Sequence, residues 1–211
     1  MEGWSQKSKD KAEKKEAKGK GEPQLYSYEM REAIVLNDGS IVGTMEQYYV
    51  QVSTITDSRS GYSSNTYYYY YNDIIAYKIG LDGEFEWLQK IDKSQVSTND
   101  YGPYSSYGSF IDNGKLYFIF NDNKLNYENS GKFIDDQKNY TASFGRRKNV
   151  VALAEIDLES GDLKRECFFE GSDIKALAVP KLFEVNYKTG ELLIYTIYGK
   201  KERIGLVKFS E

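Results

Sequence analysis

Three glycines recur at a nearly constant interval. Gly39, Gly114 and Gly190 lie 75 and 76 residues apart, each after a turn residue and before an apolar run: LNDGSIVGTM, FIDNGKLYFIF and NYKTGELLIYTI. A second hairpin pattern follows the first two at matching distance, NDIIAYKIGLDGEFEWLQKI from Asn72 and NVVALAEIDLESGDLKRECFF from Asn149. Self-similarity at a fixed long period is the signature of a repeat architecture.

Within each repeat the pattern reads strand, turn, strand. The first predicts strands at 30–36 and 41–46 around Asn37-Asp38-Gly39-Ser40, then at 73–80 and 84–91 around Asp82-Gly83. Asp-Gly and Asn-Gly between apolar runs favour tight hairpins, because these residues tolerate positive φ. The second repeat predicts 106–112 and 115–120, then 150–157 and 162–169; the third predicts 181–187 and 191–197, then 202–209. The third strands match position by position. Ile74 to Ile79 align with Val151 to Ile156 and with Ile204 to Phe209, and a charged residue recurs at Lys78, Glu155 and Lys208. Strands apolar on both faces are expected to be buried on both. Twenty Tyr, 10 Phe and 18 Gly against 3 Pro agree with β-structure.

Four antiparallel strands per repeat predict an all-β fold of β-propeller-like blades at about 25–92, 104–170 and 180–211 within one domain, 23–211. The third repeat reaches Glu211 where its last turn should begin, so its fourth strand is expected to be missing. Three blades also fall short of the roughly four that close a ring. The expectation is that the free edge at Ile204 to Phe209 is covered by Leu25 to Glu29, by a second copy, or by an upstream half of a longer propeller. Residues 1–22 carry seven Lys against five acids and almost nothing apolar, which predicts a charged, disordered linker or frayed helix.

NDIIAYKIGLDGEFEWLQKIDKSQ with SSYGSFIDNGKLYFIFNDNKLN resembles the repeat of uncharacterised propeller-like proteins of Bacteroidota. Asn72-Asp73-Ile74, Gly83 to Trp87, and Lys93 with Gln95 carry the resemblance, which covers roughly 25–209. It implies a propeller-like fold and a cell-envelope or secreted setting, and no particular reaction.

Composition narrows the function. A net charge of −4 and a pI near 5.2 argue against general nucleic-acid binding. No run approaches the roughly 18 apolar residues that cross a bilayer, and the first 30 residues hold no apolar signal core. One cysteine, Cys167, leaves no internal disulfide, and it falls within a strand pattern. Without His there is no His-assisted nucleophile or His metal ligand.

The connections 46–72, 93–109, 121–148 and 171–180 read as long loops on one face, where binding sites concentrate. They hold 13 of the 20 tyrosines, Tyr62, Tyr67, Tyr69, Tyr101, Tyr104, Tyr107 and Tyr127 among them. Tyr combines a large rigid contact with a polar tip. A non-catalytic binding or scaffold module for a glycan, peptide or protein follows, with Arg146 and Arg147 as candidate anion contacts. The bland alternative is that Tyr67, Tyr69 and Tyr71 begin a strand and pack on one face. Asn121, Asp122, Asn123 and Asn126 form an oxygen-rich stretch suited to calcium, or to an Asx-stabilised turn. No other cofactor is expected. The competing enzymatic reading is a His-free carbohydrate hydrolase with two carboxylates drawn from Asp57, Asp100, Asp122, Asp135 and Asp136.

Overall fold

The computed structural model describes residues 27–135, 137–145, 147–186, 189 and 191–208, with Tyr198 by its backbone alone. The predicted linker 1–22 and the turn residue Gly190 lie outside them. The fold is all-β, with three four-stranded antiparallel sheets, none of which closes on itself.

The first sheet runs in the order β1 (Tyr28–Val35), β2 (Ile41–Thr56), β3 (Ser63–Ile79), β4 (Phe85–Thr98). The β1–β2 turn is the one expected from Asn-Asp-Gly-Ser. Gly39 adopts φ 89°, and the Asp38 carboxylate accepts from the Ser40 amide and hydroxyl. The described residues up to Tyr48 and Asp73–Asp92 form one compact unit; Tyr49–Asn72 and the residues from Lys93 onward form another. In the first unit Val42, Ile74, Ile75, Ala76, Trp87 and Ile91 are buried. Gly43 is required there, because a Cβ would sit 2.1 Å from the Tyr77 ring.

β2 and β3 are far longer than expected. The segment 46–72, read from sequence as a loop, is mostly a β-hairpin with its turn at 57–62, and Tyr48, Tyr49 and Tyr67 to Tyr71 are strand residues. The reason lies in YVQVSTIT and SSNTYYYYY: apart from one Asn, their polar residues are Thr, Ser and Gln, set beside β-branched and aromatic residues that suit a pleated surface. Cross-strand bonds fix the register, Thr54 Oγ1 to Asn65 at 2.8 Å and Thr56 to Ser63 at 2.8 Å, with Tyr49 stacked on Tyr70 at 4.6 Å.

The second sheet is β5 (Gly108–Asp112), β6 (Lys115–Asn123), β7 (Asn149–Asp157), β8 (Leu163–Glu170). A short helix α1 (Gly171–Ile174) leads to the third, built from β9 (Leu177–Ala178), β10 (Glu184–Asn186), β11 (Glu191–Tyr198) and β12 (Lys201–Lys208). The second and third sheets share a core: Phe110, Tyr117, Ile119, Val151 and Leu153 meet Ala178, Leu192 and Ile194, with Val207 packed beside them.

The third sheet corrects one expectation. It counts four strands, but the fourth is not a strand following β12. β9 and β10 both pair with β11 on its other side, at Thr196–Ile197 and Glu191–Leu193. β12 pairs only with β11 among the described residues. Tyr28 and Glu29 belong to β1 and pair with Gln47 and Glu46. The remaining residues of that N-terminal segment lie outside those described.

Candidate functional site

At the end of β4 the chain enters a loop, 99–107, with an unusual backbone. Asn99, Tyr101 and Ser106 have φ of 55°, 61° and 73°, and Gly102 has 62°. A left-handed residue other than Gly costs on the order of 1–2 kcal/mol, more readily borne by Asn than by Tyr. Such strain persists only where the surroundings over-determine it.

They do so from several sides. Asn99 and Tyr67 exchange two bonds of 2.9 Å, one through the Asn99 side chain. The Tyr71 hydroxyl donates to the Tyr101 carbonyl at 3.1 Å. Lys181 donates to the Tyr71 hydroxyl and the Gly102 carbonyl, both at 3.1 Å, and its ammonium lies 4.3 Å from the Tyr71 ring centroid. Asp100 accepts from the Gly102 amide at 3.0 Å. Gly102 also has no room for a Cβ, which would meet the Tyr71 ring at 2.6 Å.

Beneath the loop, β4 supplies two fully buried polar side chains at alternate positions. Lys93 donates to the Tyr71 carbonyl at 2.8 Å and to Gln95 at 3.2 Å. Gln95 accepts from the Ser106 amide at 2.6 Å and donates to the Asn121 carbonyl at 2.8 Å. The Lys-x-Gln pair noted in the sequence therefore anchors the loop's far end. What the anchoring displays is Tyr101, 76% exposed, its ring tilted against Tyr69 at 5.1 Å. Tyr67, two residues along the same strand face, is 40% exposed.

The other candidates are dispersed. Tyr69 and Tyr71 are buried on one face of β3, as the strand alternative anticipated. Tyr62 is 81% exposed in the β2–β3 turn. Tyr104 is half-buried against Phe144, and Tyr107 is buried edge-on to Phe118. Arg147 is exposed; Arg146 lies outside the described residues. Lys181 is the contributor sequence reasoning overlooked, and Tyr71 reads there only as a strand residue. Lys181 is 110 residues from Tyr71 in the chain, and nothing local to it signals the role.

The oxygen-rich stretch is a buried network. Asp122, wholly buried, pairs with Arg165 and accepts from the Tyr127 hydroxyl at 2.8 Å and from Asn126 at 2.9 Å. Arg165 also donates to the Tyr127 hydroxyl at 2.9 Å and lies 3.9 Å from the Phe133 ring centroid. Burial pushes the Tyr127 pKa well above its ordinary value; for Arg165 burial pulls downward, and the Asp122 carboxylate and Tyr127 hydroxyl, with their hydrogen bonds, together more than offset it. Asn121, Asn123 and Asn126 accept from the Asn149 side chain, the Leu125 amide and the Tyr140 amide. The side-chain oxygens suited to calcium thus already receive protein donors. Among the described residues no group of three or more Asp, Glu or Cys is placed to hold a metal ion.

A cleft of about 520 Å³ opens beside this network, lined by Lys124, Tyr127, Glu128, Arg147, Lys148, Cys167 and Glu170 among others. Lys124 bonds Glu170 at 2.6 Å, which lowers the Glu170 pKa. Asp38, Asp57, Asp157 and Glu191 are also shifted downward, chiefly by hydrogen bonds. A glycosidase acid needs the opposite shift. Burial raises the Cys167 thiol, which keeps it protonated and weakly nucleophilic near neutral pH. No family model, curated protein or solved structure matches the chain.

Proposed function

We propose that the chain is a non-catalytic binding module, and that Tyr101, with Tyr67 and the edge of Tyr69, forms a contact surface for a glycan. The observation that carries this reading is the conformation of Tyr101. A bulky residue stands at φ 61°, bonded through its carbonyl, with three-quarters of its surface in solvent. Nothing in packing requires that expenditure, and strained, over-determined residues concentrate at ligand contacts.

A glycan fits better than a peptide. Planar rings offer apolar faces to sugar C–H groups, while hydroxyls and amides meet the sugar's own hydroxyls. Segment 99–107, NDYGPYSSY, supplies these groups and, Pro103 apart, holds no aliphatic or basic side chain. Peptide recognition draws on a free strand edge, an apolar or aromatic-lined groove, or an Arg cluster. The three sheets are in this reading propeller-like blades, akin to the Bacteroidota repeat proteins. Support comes from the repeat period and from the face-to-face core of the second and third sheets.

Binding to a panel of immobilised polysaccharides tests the reading. Tyr101→Ala and Tyr67→Ala should each weaken retention about 10-fold, as expected for contacts worth more than 1 kcal/mol, whereas Tyr107→Phe should leave it unchanged. Tyr101→Gly should bind as poorly as Tyr101→Ala yet be the more stable by about 1 kcal/mol, because Gly relieves the left-handed φ. Undiminished retention in a Tyr67→Ala/Tyr101→Ala variant would end the proposal.

A further inference from the structure

Among the described residues β12 has a free edge, and its residues are self-complementary. Ile204 and Leu206 are each 66% exposed and lie on the face away from the core that Val207 joins. Glu202 and Lys208 stand on that same face, at either end of the apolar pair; within the chain Glu202 bonds the Tyr195 hydroxyl and Lys208 bonds Glu191 at 3.0 Å, each across to β11. A free, partly apolar strand edge is a template for another strand. We propose that β12 pairs antiparallel with β12 of a second copy, with Gly205 on the two-fold axis.

The register follows from charge. With Gly205 opposite its own copy, Glu202 faces the partner's Lys208, Ile204 faces the partner's Leu206, and each contact occurs twice. This is the isologous arrangement of a closed dimer. Shifting the axis to lie between Ile204 and Gly205 sets Lys201 against Lys208; shifting it to Ile204 sets Lys200 against Lys208. Like charges directly opposite are unfavourable, and opposite charges favourable. Of these three registers, the one at Gly205 alone joins both ends by attraction.

The glycine is the second argument. Its φ is not positive, and a Cβ there would meet nothing within 4 Å, so neither backbone conformation nor internal packing accounts for it. Glycine inside a strand weakens it, and often marks close approach of another backbone. At a two-fold axis the two Gly205 Cα atoms would stand about 4.5–5.5 Å apart.

That separation matches a disulfide. In a Cys167→Ser background, Gly205→Cys should form a disulfide-linked dimer on mild oxidation much faster than Ser64→Cys, an exposed site in the β2–β3 hairpin. Sedimentation equilibrium of the 211-residue chain should show a concentration-dependent dimer. Glu202→Lys and Lys208→Glu should each weaken it about 10-fold, since attraction becomes repulsion at two symmetry-related positions. The double exchange Glu202→Lys/Lys208→Glu, made together with Glu191→Gln so that the new carboxylate meets no like charge on β11, should restore it. A chain monomeric at every concentration, assemblies larger than dimers, a double exchange that fails to restore, or Gly205→Cys linking no faster than Ser64→Cys would each overturn the proposal.

Discussion

β7 and β12 carry matching residues in opposite surroundings. Val151, Ala152, Leu153 and Ala154 correspond to Ile204, Gly205, Leu206 and Val207. In β7 all four are buried, flanked by β6 and β8, with Val151 and Leu153 in the core shared with the third sheet. In β12 only Val207 reaches that core, and Ile204 and Leu206 stand in solvent. Burying an aliphatic side chain contributes on the order of 1.5–3 kcal/mol. The same pattern therefore stabilises the fold strongly in one strand and weakly in the other. Apolar alternation records a capacity for burial; neighbours determine whether it is used.

The largest contrast should come from placing a carboxylate at the matched positions. Val151→Asp buries a charge without a partner and should abolish cooperative unfolding in urea. Ile204→Asp, measured at a concentration where the chain is monomeric, should cost within about 0.5 kcal/mol, as surface substitutions usually do. Equal losses would mean that β12 is covered after all.

A smaller but still large effect is expected beside β7, at Arg165, which pairs with Ala154 across the β7–β8 ladder. Arg165→Met leaves Asp122 buried without its guanidinium and should cost roughly 3–5 kcal/mol. Adding Asp122→Asn should recover part of that loss. Full tolerance of Arg165→Met would show the buried network to be dispensable to the second sheet.

The smallest effect lies in the turn that ends β7. Asp157 accepts from the Ser160 and Glu159 amides, which hold its carboxyl below the usual range. A depressed folded-state pKa stabilises at pH values above the unfolded value, and the contribution is lost as pH falls through the folded one. NMR titration should place the Asp157 midpoint below that of an ordinary aspartate. Asp157→Asn should flatten this part of the acid unfolding curve, and an ordinary midpoint would contradict the turn geometry.

Much of the fold was legible. Positive φ at Gly39, Gly83, Gly114 and Gly161 lies where hairpin turns were expected, because Asp-Gly, Asn-Gly and Ser-Gly signals act over two residues. The hairpin 41–79 was obscured by its Ser, Thr and Tyr residues, which serve loops and solvated strands alike. The candidate site was half legible: Tyr67, Tyr69 and Tyr101 were named, but exposure separates Tyr101 from Tyr107, and no local pattern distinguishes them.

What the sequence by itself determined is what local chemistry can set: an all-β chain, its repeat period, its tight turns, and a surplus of tyrosine. The tertiary structure decided which apolar strand is enclosed and which is left at an edge. It also decided which tyrosine is held out in solvent, through Lys181 and Tyr71 at long range. Burial and loop strain depend on groups brought together from distant parts of the chain, and spacing along the chain carries no record of that meeting.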